Sequence, residues 1–256
     1  MIKVCILAGG HGTRLIEETQ RKPKPMVEIG GMPILWHIMK MYGVANFKEF
    51  VLALGYKGEV IKNYFLNYYY QSNNFSIKLR NGKINVHAKN QEDWNIHLID
   101  TGLNTGTGGR LKKLSSWLED GTFMMTYGDG VSNVDIRQLI KFHRKHKKLA
   151  TVMAVRPPAR FGGLEFDGNT VTRFVEKPQI GEGWINGGFF ILEPEVFDFI
   201  DDDKTMWERE PLERLAKEKQ LVAYRHHDFW QCMDTLRDVQ YLDQLWNTNQ
   251  APWKTW

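Results

Sequence analysis

Short apolar runs rich in β-formers alternate along this chain with stretches of helical periodicity, and that alternation restricts the possible folds more than any other feature. Val4 to Leu7 reads as a strand, Ile34 to Val44 as a helix, Phe50 to Leu54 as a strand and Lys57 to Asn67 as a helix. Thr122 to Thr126 is again a strand and runs into Tyr127-Gly128-Asp129-Gly130; a helix follows from about Asp135 to His146, then a strand at Ala150 to Val155. Asp135 stands where an N-cap is wanted. Such a series builds βαβ units, so the expected fold is α/β: a Rossmann-like, mostly parallel mixed sheet flanked by helices. With 256 residues, 42% of them hydrophobic, the chain buries a core without staples.

One segment breaks the pattern. Phe75, Ile77 and Leu79 alternate with polar residues, Asn81-Gly82 follows, and Ile84 and Val86 alternate again, which is the pattern of a β-hairpin with a tight turn. With Tyr68 to Tyr70 before it and Trp94 to Ile99 after it, the hairpin reads as an insertion at about 70–101 whose aromatics meet another subunit, hence a homo-oligomer. Beyond residue 155 come strands at Leu164 to Phe166, Thr170 to Val175, Trp184 to Leu192 and Leu221 to Arg225. Helices are expected around Glu195 to Ile200, Glu208 to Lys219 and Arg237 to Trp246. With no linker and no repeat, residues 1–256 read as one domain.

Charge excludes some functions. The net charge of +4 is spread along the chain, so no basic stripe marks a nucleic-acid partner. No apolar run approaches a membrane span, and the N-terminus enters its first strand without a charged leader. The two cysteines, Cys5 in an apolar strand and Cys232, make no disulfide framework, so the expected location is a reducing cytoplasm.

The run Leu7-Ala8-Gly9-Gly10-His11-Gly12-Thr13-Arg14 leaves the first strand directly. Open α/β sheets bind ligands at the carboxyl ends of their strands, and glycines let backbone N–H groups approach a phosphate. A tight structural turn would also explain the glycines. The dinucleotide fingerprint fails, because Leu15 stands where a small residue is needed, and no Gly-Lys-Ser or Gly-Lys-Thr completes a P-loop. What remains is a glycine loop followed by Arg14 and by Lys24 between Pro23 and Pro25, whose rings hold Lys22 and Lys24 on an extended segment. Two cations so placed suit a polyphosphate.

Those residues, Leu7-Ala8-Gly9-Gly10-His11-Gly12-Thr13-Arg14-Leu15 and Lys22-Pro23-Lys24-Pro25-Met26, resemble the motif of the sugar nucleotidylyltransferases, or nucleotide-sugar pyrophosphorylases. The resemblance continues through Tyr127 to Gly130, Phe174-Val175-Glu176-Lys177-Pro178, Ile185-Asn186-Gly187-Gly188-Phe189-Phe190 and Trp230 to Thr235. Within that family the chain is most similar to the glucose-1-phosphate cytidylyltransferases, through Val27 to Gly31, Pro33 to Met39, Thr107 to Lys112 and Ala251 to Trp256. His11 departs from the family pattern.

The resemblance implies a nucleotide-diphospho-sugar transferase fold and a reaction between CTP and glucose 1-phosphate, giving CDP-glucose and pyrophosphate. It implies nucleotide contacts from Leu7 to Arg14, Lys24, Thr105, Gly109, Arg110 and Asp129, with Arg110 on either the base or the phosphates. Arg14, Lys24 and Lys177 would be catalytic. Tyr127, Glu176, Lys177, Asn186 and Gly187 would hold the sugar phosphate, and Asp129 and Asp234 would hold Mg²⁺, which favours one or two carboxylates plus phosphate oxygens. The tryptophans Trp36, Trp117, Trp207, Trp230, Trp246, Trp253 and Trp256 read as core and interface. A thymidylyl- or uridylyltransferase acting on a hexose 1-phosphate is the alternative. A catalytically silent nucleotide-sugar sensor would lack the cations or metal ligands, which are all present.

Overall fold

Val4 and Ile6 face one packed layer while Cys5 and Leu7 face another, so the first strand is apolar at every position. The computed structural model describes residues 2–87, 92–157, 163–167, 170–175 and 183–256, without the side chains of Arg14, Ile16, Glu17, 163–167 and 173–175. Its elements are β1 (Val4–Leu7), α1 (Ile16–Thr19), β2 (Glu28–Ile29), β3 (Met32–Pro33), α2 (Ile34–Val44), β4 (Glu49–Leu54), α3 (Gly58–Gln71), β5 (Asn74–Lys78), β6 (Lys83–His87) and β7 (Asn95–Asp100). There follow α4 (Thr107–Lys113), α5 (Ser115–Leu118), β8 (Phe123–Tyr127), β9 (Gly130–Ser132), α6 (Ile136–His146), β10 (Ala150–Val155), β11 (Gly163–Asp167) and β12 (Thr170–Val175). The chain finishes with β13 (Ile185–Leu192), a 3-10 run at Pro194–Phe199, α7 (Glu210–Lys217), β14 (Leu221–Arg225), β15 (Trp230–Cys232) and α8 (Leu236–Asn247).

Seven strands form the central sheet in the order β14-β10-β13-β8-β1-β4-β7. All neighbours are parallel except β13, which is antiparallel to both β10 and β8. One side is packed by α2, α6 and α8 through residues such as Ile34, Ile38, Leu139 and Leu242; the other by α4 and α7 with Leu111, Leu114, Trp207 and Leu215. Each large apolar side chain taken fully out of water contributes roughly 1.5–3 kcal/mol, which is why strands buried on both faces dominate the sequence pattern.

From β1 the chain crosses to β4 and β7 on one side, then returns to β8 on the other. The sheet therefore switches direction between β1 and β8, where an open α/β sheet forms a crevice at its carboxyl edge. Leu7 lies beside both Ala53 and Tyr127 in register, so the loops after β1 and β8 leave this edge together.

The hairpin exists as β5 and β6, with Asn74 opposite His87 and Lys78 opposite Lys83. Its turn is wider than Asn81-Gly82, because Asn81 and Gly82 both donate backwards to Lys78 O, at 3.2 and 2.9 Å. The following segment does not belong to the insertion: β7 pairs in parallel with β4 from Glu49–Asn95 to Leu54–Asp100 and forms the sheet edge. Its polar residues face solvent because an edge strand has one open side. The helix expected around Glu195 to Ile200 is instead the 3-10 run at Pro194–Phe199, and α7 begins two residues later than expected, with Pro211 in its first turn.

Candidate active site

The loop after β1 is shaped by what surrounds it. Gly9 O accepts from Tyr56 N at 3.1 Å and from an Arg110 guanidinium N–H at 3.0 Å, and Gly12 takes φ +62°, a conformation that glycine adopts without strain. Among the described residues no protein group accepts from the N–H groups of Gly10, His11 and Gly12. Free backbone N–H groups of this kind are what an anion nest is built from. Leu7, Ala8, Gly9, Gly10, His11, Gly12 and Thr13 line a cavity of about 630 Å³. The His11 ring is exposed and lies 5.2 Å from the Tyr56 ring, centroid to centroid. The Arg14 side chain is outside the described residues.

Lys24 does not continue an extended segment. Met26 N donates to Pro23 O at 2.8 Å and Val27 N to Lys24 O at 3.0 Å, closing a 3-10 turn that buries Pro25 and Met26. That burial outweighs the preference of a pre-proline residue for extended backbone. The stem of Lys24 lies against Gly12, where an added Cβ would stand 3.2 Å from Lys24 Cβ, and the ammonium reaches Asp129 at 2.5 Å and Asp234 at 2.6 Å. Lys22 instead pairs at the surface with Glu28, 3.4 Å away.

These two carboxylates are 105 residues apart, and a three-residue ribbon brings them together. Strands β9 and β15 pair antiparallel, Gly130 opposite Cys232, and Met233 N donates to Asp129 O at 2.8 Å. Asp234 directly precedes the capping box of α8, in which Thr235 and Asp238 bond each other's backbone, and its own N–H donates to Asp238 at 3.1 Å. Among the described residues no group of three or more His, Cys, Asp or Glu converges.

Arg110 is tied into the protein's own loops. Only 3% exposed, its guanidinium donates to Leu54 O, Thr101 Oγ1 and Gly102 O through one nitrogen, at 2.7–3.1 Å, and to Gly9 O and Leu103 O through another. It ties the loops after β1, β4 and β7 to one another, and Arg110 also lines the larger cavity. The glycines of α4 serve packing: a Cβ on Gly109 would stand 2.3 Å from Asp203 O and one on Gly106 2.4 Å from Thr205 O. The N–H groups of Gly106 and Gly109 donate to Asp203 O and Thr205 O. Thr105 lines the cavity and donates to Thr101 O at 2.6 Å.

A second cavity, of about 250 Å³, opens between β8, β13 and the β9–β15 ribbon. Tyr127, Asp129 and Asp234 line both cavities. Asn186 and Gly187 line the second, where Trp230 Nε1 donates to Gly187 O at 2.7 Å and Asn186 Oδ1 accepts from Gly188 N at 2.8 Å. Trp230 is therefore a cavity wall rather than core. Trp207 and Trp253 are fully buried, and Trp246 and Trp256 surround His37.

Glu176 and Lys177 lie outside the described residues. Sequence reasoning missed Leu103, Asn104, Lys204, Met206 and Glu208, which complete the wall of the larger cavity. Glu208 accepts from Thr107 Oγ1 at 2.6 Å and from the Tyr127 hydroxyl at 2.5 Å. No periodicity or motif marks it, since it stands in an irregular segment just before α7.

Comparison with known proteins agrees with this geometry. Residues 3–252 match the family described as nucleotidyl transferase. The chain is 53% identical, over the whole of both chains, to the glucose-1-phosphate cytidylyltransferases of Salmonella typhi and Salmonella typhimurium. Its fold is similar to that of HddC from Yersinia pseudotuberculosis, solved in complex with GMP-PN, with a TM-score of 0.70, 25% identity and coverage of 96% of this chain and 100% of that one. A match over nearly all of its length and relatives of the same extent establish that the chain belongs to the nucleotidyl transferase family.

Proposed function

We propose that this protein transfers the cytidylyl group of CTP to glucose 1-phosphate, releasing pyrophosphate and forming CDP-glucose. The observation that carries this reading is the pair of cavities that share Tyr127, Asp129 and Asp234. The larger accepts the triphosphate over the N–H groups of Gly10 to Gly12, the smaller accepts the sugar phosphate, and the shared carboxylates lie where the reacting phosphates meet. The full-length similarity to cytidylyltransferases supports the choice of base and sugar.

In-line attack by a phosphate oxygen on the α-phosphorus needs no general base, because the attacking group, with a second pKa near 6, is already largely ionised at neutral pH. The protein positions two polyanions and offsets their charge. Lys24 supplies a fixed cation beside the glycine loop; Tyr127, Asn186 and Gly187 shape the sugar side. Glu176 is assigned to the sugar hydroxyls, Lys177 to the sugar phosphate and Arg14 to the triphosphate. Asp129 and Asp234 fit Mg²⁺, since two carboxylates already converge on one cation and phosphates complete such a shell. Magnesium bound there supplies charge neutralisation to the phosphate oxygens.

The exposed Phe75, Ile77, Leu79 and Ile84 of the hairpin support a homo-oligomer. The two free cysteines fit a cytoplasmic location. Among the described residues no helix is long and apolar enough to cross a membrane.

Incubation with CTP, glucose 1-phosphate and Mg²⁺ is expected to yield CDP-glucose by mass spectrometry. Excess chelator is expected to stop the reaction and added Mg²⁺ to restore it; absence of that product would overturn the reading.

A further inference from the structure

The two cavities are joined by a line of hydrogen bonds through a residue that no motif marks. Glu208 holds Thr107, at the start of α4 in the larger cavity, with one carboxylate oxygen at 2.6 Å, and Tyr127, at the end of β8, with the other at 2.5 Å. The Tyr127 hydroxyl accepts from Asn186 Nδ2 at 3.4 Å, and Asn186 Oδ1 fixes the backbone of Gly188 at 2.8 Å. Tyr127 presses so closely on this strand that a Cβ on Gly188 would stand 2.7 Å from the ring, and Gly188 takes φ +78°. From Thr107 to Gly188 the polar contacts are therefore continuous, and they cross the shared wall of both cavities.

A carboxylate beside a site for two polyanions is electrostatically unfavourable, so a role in direct phosphate binding is excluded by sign. Both of its oxygens already accept from neutral hydroxyls, which makes each bond charge-assisted.

We propose that Glu208 is a positioning residue for the transfer reaction: acting through the Tyr127 hydroxyl, it sets the Asn186 face of the sugar-phosphate cavity and links that cavity to the nucleotide wall at Thr107. This inference rests on the assignment of the two cavities made above. Glu208 touches no reacting atom, and its effect passes through Tyr127.

The test is a double-mutant cycle read on the Kd and KM of glucose 1-phosphate, with the KM of CTP measured in parallel. Glu208→Ala is expected to weaken glucose 1-phosphate binding about tenfold, the scale of one lost charge-assisted hydrogen bond. Glu208→Gln, which keeps the shape and one acceptor, is expected to recover most of that loss. In a Tyr127→Phe background, Glu208→Ala is expected to add less than about twofold, because the hydroxyl it acts through is gone. Full additivity of the two substitutions, or equal losses for both substrates with no recovery by Glu208→Gln, would overturn the inference and leave the assigned reaction intact. Failure of the wild-type protein to bind glucose 1-phosphate by calorimetry and to turn it over would overturn the assigned reaction, and this inference with it. Equal melting temperatures for wild type and Glu208→Gln are expected, and a folded Glu208→Gln protein keeps the cycle readable if the alanine variant unfolds.

Discussion

The ammonium of Lys24 has only 12% of its side chain exposed, and it is held between two acidic groups. Burial works against its charge, but the charges and hydrogen bonds of Asp129 and Asp234 outweigh that and raise its pKa above the ordinary 10.5. A base whose folded pKa is raised contributes its stabilisation fully at lower pH and loses it only as pH climbs through the folded value, so Lys24 stays cationic throughout the neutral range. Lys24→Ala is expected to lower kcat on the order of 10²-fold or more, as removal of a preorganised electrostatic donor does elsewhere. An unchanged kcat would remove Lys24 from the catalytic set. Arg110 is expected to behave otherwise: Arg110→Ala leaves Gly9 O with only its Tyr56 N–H partner and removes the guanidinium donors to Gly102 O and Leu103 O, and should show first as a lower melting temperature. A variant of wild-type stability that has lost CTP binding would instead make Arg110 a direct ligand. At this scale residue type was legible and partnership was not. Arg110 reads as a ligand because it follows a glycine cluster; its backbone acceptors lie at three places, Gly9, Leu54 and Gly102–Leu103, that only the folded sheet edge gathers.

Strands buried on both faces leave an uninterrupted apolar run, so β1 and β10 have in the structure the limits read from sequence; β12 and the edge strand β14 keep theirs too. Ribbons β2–β3 and β9–β15 have only two or three residues per strand, too few for any periodicity, although the second of them brings Asp129 to Asp234. The hairpin was legible from its alternation, but its flank was misread because β7 alternates like a solvent-facing strand while serving as a sheet edge. The C-terminal segment closes on α2 around His37, which is fully buried, donates from Nε2 to Ile29 O at 2.8 Å and accepts at Nδ1 from Trp253 Nε1 at 3.4 Å. Burial, only partly offset by backbone hydrogen bonds to Ile29 and Met32, lowers its pKa to about 4. The unfolded chain therefore takes up this proton first as pH falls from the ordinary 6.5 towards 4, and stability declines across that window. Thermal unfolding between those limits is expected to fall more steeply for the wild type than for His37→Gln. Parallel pH profiles would show that the tail does not depend on a neutral His37.

On the scale of the whole molecule, the crevice at the switch between β1 and β8 gathers two cavities around a shared acidic centre. The architecture follows from the βαβ pattern, and the place of the site follows from the architecture. Its second cavity was less legible, because it depends on an antiparallel strand, β13, set among parallel neighbours, and strand direction leaves no mark on composition. The central claim is that this crevice joins CTP to glucose 1-phosphate, and it is tested most directly by initial rates of pyrophosphate release with CTP, UTP and dTTP in parallel, each with glucose 1-phosphate and Mg²⁺. A kcat/KM for CTP on the order of 10²-fold or more above the others is the expected result; an equal or higher value for dTTP or UTP would contradict it.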